Sequence, residues 1–141
     1  MTALPDWILG TILLLAMTLA LVAWLGWISR VLVRLEDAGM RPTPRFLVFA
    51  GVATYAVAFY AVLAAMIWAL TLYWIGAVDK WSDAVLYSLE AITCYGHANV
   101  FLKAEWQLLG AIEAINGLIL FGLSTAFLFT VLQKIWPQTL K

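Results

Sequence analysis

Charge along this chain is gathered into short segments, and long apolar runs separate them. Trp7 to Ser29 holds no charged residue. At about 1.5 Å per residue, a helix over that run covers roughly 30 Å of hydrocarbon. The pattern therefore predicts a first membrane-spanning helix over about 7–29. The tail before it carries Asp6 and no Lys or Arg, and the run is longer than the apolar part of a signal peptide. A retained helix is the reading, with a cleaved leader as its rival. Trp24 and Trp27 near its end, followed by Arg30 and Arg34, have the form of an interfacial belt and anchor. Residues 30–45 hold four arginines, two acids, Gly39, Pro42 and Pro44, which predicts a helix stop and a basic loop. That loop is expected to be solvated, with lipid headgroups as the other contact open to it. A second uncharged run, Phe46 to Val78, intersperses Ala50, Gly51, Ala53, Ala56, Ala61, Ala64 and Ala65 among aromatics. Small residues let helices approach closely where no water drives association. The span expected here is about 46–75, tilted or ending near Tyr73 and Trp74.

Asp79, Lys80, Ser82 and Asp83 mark the next surface, with Ser82 the expected N-cap and Asp83 in a first helical turn. From Ala84 to Trp106 the chain begins like a short helix, then becomes too rich in small and polar residues to continue one. Non-helical backbone at membrane depth is tolerated only where it is buried in protein or lines a water-filled path. The stretch 82–104 is therefore expected to be a re-entrant helix and loop. Residues 106–132 form the third expected span, interrupted by Glu113 and Asn116, and a short tail 133–141 carries Lys134 and Lys141. By the positive-inside rule the arginine loop and this tail are cytoplasmic and the N-terminus is outside.

Composition narrows the function. The chain has 141 residues, 65% of them hydrophobic and 11% charged, with a mean hydropathy of +0.98, well beyond a soluble domain. The fold class expected is an all-α integral membrane protein that acts within the bilayer. Eight basic residues balance eight acidic ones and cluster in loops, which gives nucleic-acid binding no support. Cys94 and His97 are each single, so a disulfide or a multi-ligand metal site within one chain is excluded. With scattered acids they supply no paired catalytic constellation, and an enzyme is not expected. A multi-ligand site would have to form between copies.

The order of outer helix, short helix, loop and inner helix resembles the pore module of tetrameric potassium channels, the small bacterial ones above all. The strongest local similarity is Gly117-Leu-Ile-Leu-Phe121-Gly-Leu-Ser-Thr125-Ala, which looks like the G-x-x-x-F-G-L-x-T-A stretch of their inner helix. The resemblance implies a bending point at Gly117 and a water-filled cavity lined by Phe121 and Thr125. Phe129 extends the stripe by spacing alone and is a candidate apolar constriction. In the ungapped register, Ser88 and Glu90 fall on the family's S-x-E, Trp106 falls on its tryptophan, and Thr93-Cys94-Tyr95-Gly96-His97-Ala98-Asn99 replaces the selectivity filter. A rival register sets Tyr95-Gly96 on the family's final Y-G but breaks the spacing on both sides. The first helix is an addition that the family does not explain.

The substitutions bear on chemistry. Filter glycines permit the left-handed backbone that aims carbonyls at permeating ions. Gly96 keeps one of these positions and Ala98 replaces the other, at a cost of about 1–3 kcal/mol per chain if the shape is kept. Cys94 stands where the family has threonine; it is either a small buried residue or a ligand for soft cations such as Cu(I), Ag(I) or Cd(II). His97 stands where the family has a tyrosine braced by the position of Tyr87, and either a brace or a proton sensor is consistent with it. Glu90 is expected to pair with Asn99. Glu113 is an intramembrane acid and so a functional candidate, or else a packing element with Asn116. The resemblance implies a homotetramer in the bacterial inner membrane that passively conducts K+ or Na+, with no cofactor and with membrane lipids around it. A soft or transition-metal pathway through Cys94 and His97 is one alternative. The other is a non-conducting scaffold or regulatory subunit with an unknown partner.

Overall fold

The computed structural model describes residues 3–36, 42–96 and 100–135. These form α1 (Ala3–Glu36), α2 (Pro42–Trp74), α3 (Trp81–Ile92), a 3-10 turn (Ala104–Trp106) and α4 (Gln107–Ile135), with no strand among them. Three segments are long and apolar enough to cross a membrane, Trp7–Glu36, Phe46–Trp74 and Ala104–Lys134. Of the positions singled out above, Gly39, Arg41, His97, Ala98, Asn99 and Lys141 lie outside the described residues.

The helix ends differ from the sequence expectation for local reasons. The loop expected over 30–45 is shorter, because α1 continues through Arg30 to Glu36. Val31 to Leu35 is apolar apart from Arg34, which lies in the last helical turn, where a cation meets the negative end of the helix dipole. At the other side of the loop α2 begins at Pro42. Proline is tolerated in a first turn because the N–H it lacks has no intrahelical partner there, so Pro42 and Pro44 open the helix rather than delay it. Ser82 is not the N-cap of α3. Lys80 holds that place without a side-chain cap, while Ser82 Oγ donates to Asp83 Oδ1 at 3.1 Å. Trp81 enters the first turn packed edge-on against Tyr73, with ring centroids 5.9 Å apart.

The three long helices form one bundle. α1 runs antiparallel to α2, since Tyr60 Oη donates to the Met17 carbonyl and Trp24 Nε1 donates to the Ala56 carbonyl at 3.0 Å. It runs parallel to α4, with Gly10 facing Leu109 and Ile112 and Lys134 paired with Glu36 at 3.1 Å at the far end. Small residues make the close approaches possible. Ala53, Ala64, Ala65 and Ala69 of α2 are all buried, and Trp68 among them is wholly enclosed.

Asn116 joins all three helices. Its Oδ1 accepts from Trp68 Nε1 at 3.1 Å, and its Nδ2 donates to the Leu14 carbonyl and Thr18 Oγ1, both at 3.4 Å. Interhelical polar bonds in membranes are worth about 0.6 kcal/mol on average and up to about 1.7. Asn116→Leu, which also strands the buried Trp68 indole N–H, is expected to lower stability by about 1–2 kcal/mol. Trp68→Phe is expected to remove only one of these bonds and cost less of the polar contribution. Reversible unfolding in detergent micelles checks both.

Candidate functional site

α3 is an amphipathic wedge. Ala84, Tyr87, Ser88, Ala91 and Ile92 are buried at the three- and four-residue spacing of one helical face, and the helix is packed against α2 and α4. Two glycines of α4 receive it. Gly110 lies under the Tyr87 ring, and Gly117 lies against the backbone of Ile92, where an added Cβ would come within 2.7 Å of Ile92 Cα. Gly117 is ten residues along the 29-residue α4, or about 15 Å. The short helix therefore ends beside the middle portion of a spanning-length one.

How α3 ends is unusual. Cys94 N–H donates to the Ala91 carbonyl at 3.1 Å and Tyr95 N–H to the Glu90 carbonyl at 3.0 Å. This is the paired pattern of a Schellman motif, in which the residue just past the cap is left-handed and normally glycine. The end of α2 shows the ordinary form: Gly76, at φ +72°, donates to Tyr73, and Ala77 donates to Leu72. At the end of α3 the left-handed place is taken by Cys94, at φ +54°. For an L-residue with a Cβ this costs roughly 1–2 kcal/mol. Gly96 two residues on is also left-handed, at φ +94°.

Beyond this motif the carbonyls of Thr93, Cys94, Tyr95 and Gly96 accept no hydrogen bond from the described residues. The Thr93 hydroxyl turns back to its own helix, donating to the Leu89 carbonyl at 2.6 Å. All four residues are exposed. The C-terminus of α3 adds the negative end of its dipole at the same place. A run of free carbonyl oxygens at a helix C-terminus is a setting that favours cations.

Thr93, Gly117 and Phe121 come together around one cleft of about 240 Å³, which Val57, Tyr60 and Ala61 of α2 also line. Phe121, Thr125 and Phe129 are exposed, and Thr125 Oγ1 donates to the Phe121 carbonyl at 2.9 Å. With Ala111, Ile115, Leu118 and Gly122 they form an uncovered stripe along α4. Gly117 stands one turn before Phe121 at the edge of this stripe, buried against α3, and its lack of a side chain serves that contact. Cys94 is an exposed free thiol, and no group of three metal-ligating side chains occurs among the described residues.

Glu113 and Asn116 have separate environments. Asn116 holds the bundle together as described. Glu113 is wholly buried next to Ser88, yet neither carboxyl oxygen, nor Ser88 Oγ, makes a hydrogen bond of good geometry. A buried group left in this way costs about 1–3 kcal/mol.

Lys103 was not singled out by sequence reasoning. Its ammonium contacts the Gly76 carbonyl at 2.8 Å and Asp79 at 2.7 Å, while its backbone N–H donates to the Ala77 carbonyl at 3.2 Å. It thereby ties the returning segment to the turn between α2 and α3. The available signal was that Lys103 is the sole Lys or Arg between Ala84 and Trp106. The ion pair itself is largely exposed, so its effect is positional and its energy is small.

Substitutions at three positions test this geometry through thermal unfolding in detergent. Cys94→Gly is expected to raise stability by about 0.5–1 kcal/mol by relieving the left-handed strain, and Cys94→Val to lower it by about 1 kcal/mol or more. Gly117→Ala drives a methyl into the Ile92 backbone and is expected to cost about 1–3 kcal/mol, with a changed rate of maleimide labelling at Cys94 as α3 shifts. Glu113→Leu removes two unsatisfied oxygens and is expected to raise stability by about 1–3 kcal/mol. Comparison of the chain with family models, with curated proteins and with solved structures finds no match.

Proposed function

We propose that this chain is one subunit of a homotetrameric cation channel whose pore loop is similar to that of potassium channels, and that it conducts K+ or Na+ passively. The observation that carries the reading is the end of α3: it stops beside the middle portion of α4 and leads into exposed carbonyls that the described residues leave unpaired. In this reading α3 and residues 93–104 are a re-entrant loop entering the bacterial inner membrane from outside, with the N-terminus outside and the C-terminus in the cytoplasm.

A single chain exposes this loop, and irregular backbone at membrane depth has to be covered by protein or to line water. Copies arranged around an axis meet both requirements. Each would contribute Thr93 to Gly96 to a shared path and the α4 stripe of Phe121, Thr125 and Phe129 to a cavity. The number four comes from the resemblance. Carbonyl oxygens would replace part of an ion's hydration, and the α3 dipoles would favour positive charge between them. The exposed Cys94 thiol favours one variation, in which the same path takes or is blocked by soft cations.

Cation flux from liposomes containing the purified protein tests the proposal. Flux of K+ or Na+ is expected, and Gly96→Val is expected to reduce it at least about tenfold, because its φ of +94° is closed to a β-branched residue. The oligomer, read by native mass spectrometry, is expected to persist. An intact assembly passing neither ion would reject conduction and favour a scaffold or regulatory subunit. Block by Ag+ that Cys94→Thr abolishes would place the thiol on the ion path.

A further inference from the structure

Between α1 and α2 runs an open apolar groove of about 580 Å³ that the pore loop does not touch. Trp24 and Trp27 form one wall, their rings 5.3 Å apart. Tyr55 and Phe59, stacked at 6.3 Å, form the other, and Trp24 closes on Phe59 at 5.9 Å. Gly51 opens the groove floor, since a Cβ there would meet nothing within 4 Å. From Gly51 to Phe59 the groove extends about 12 Å along α2, with a volume in the range of single-ligand sites.

Beyond the Trp27 end of this groove, α1 carries two arginines. Arg30 and Arg34 follow Trp27 on α1 at three and seven residues, which places all three on one side of the helix. Both arginines are exposed, and neither has an ion-pair partner among the described residues. Glu36, the nearby acid on α1, is engaged by Lys134. The uncharged run of α1 ends at Ser29, so in a membrane the arginines stand at the edge of the hydrocarbon and the groove lies just inside it.

We propose that this groove holds an acyl chain of an anionic phospholipid, with Arg30 and Arg34 binding its phosphate. Aromatic walls suit the chain. Guanidinium groups bind phosphate oxygens through paired, charge-assisted hydrogen bonds. A second protein copy is disfavoured as occupant by position. Tyr55 and Phe59 lie on the side of α2 turned away from Val57 and Ala61, the residues that face the cleft shared with Thr93 and Phe121. Only α1 and α2 form the site, so it stands whether or not the chain conducts.

Native mass spectrometry of the full-length protein in non-ionic detergent, with dioleoyl phosphatidylglycerol or dioleoyl phosphatidylcholine added, tests the site. Phosphatidylglycerol is expected to bind roughly 10- to 30-fold more tightly, the preference expected of two arginines beside one anionic headgroup. The double variant R30Q/R34Q is expected to abolish that preference. Gly51→Leu, whose Cβ meets nothing within 4 Å and whose side chain projects into the groove, is expected to weaken binding of both lipids severalfold at little changed thermal stability. Equal binding of the two lipids by the unaltered protein, or a preference that survives R30Q/R34Q, would overturn the headgroup assignment. Lipid binding unaffected by Gly51→Leu, or a change of oligomeric state in its place, would overturn the groove assignment.

Discussion

The contact between the backbone of Ile92 and Gly117 is the one on which the arrangement around the loop depends. It sets how far α3 travels along α4, and so the depth at which the chain leaves its helix. A side chain at 117 would hold the two backbones apart, because its Cβ would fall 2.7 Å from Ile92 Cα, where rotamer adjustment gives no relief. From this contact follow the cleft that joins Thr93 to Phe121 and the exposure of Thr93 to Gly96. Gly110 under Tyr87 repeats the device two turns earlier, so α3 is seated on α4 at two points.

Around that contact the interior divides into groups that are satisfied and groups that are not. Trp24, Tyr60, Trp68 and Asn116 all find partners on other helices, and these bonds register the three long helices. Where hydrophobic burial gives little drive between helices, close packing and such bonds carry the association. The departures from good local chemistry gather near α3. Cys94 occupies a left-handed position suited to glycine, and Glu113 and Ser88 are buried side by side without completed hydrogen bonds. Natural proteins keep such departures chiefly where function requires them. Their concentration at the end and inner face of α3 supports reading this region as the working part of the molecule.

α1 has a different relation to the rest. It packs on α2 and α4 on the far side from the loop, and it contributes Leu14 and Thr18 to the Asn116 junction and Glu36 to the pair with Lys134. It braces the two helices that hold α3. It also makes, with α2, an aromatic groove, with two exposed arginines further along α1.

The three spans were legible in the sequence because insertion of a segment into hydrocarbon depends on its own composition, and 7–29, 46–78 and 106–132 carry almost no charge. The short helix before Thr93 was legible too, from the acid in its first turn and the break in apolar pattern after Ile92. Positions 97–99, on which the filter reading also drew, lie outside the described residues. Helix ends were less legible: Pro42 and Pro44 read as a stop, yet the same residues suit a first turn, and neighbouring sequence does not distinguish the two. What only the tertiary structure decided concerns pairs far apart in the chain. Glu113 and Asn116 are three residues apart and look alike as polar interruptions of an apolar run. One joins Trp68, Leu14 and Thr18, and the other faces Ser88 without a formed bond. Gly117 is a bending point by resemblance alone, and its packing makes it a seat for α3, with Ile92 beside it. Local sequence determines what each segment costs to place in lipid, whereas a side chain's partner depends on the rotation and depth of helices dozens of residues away, which only packing determines.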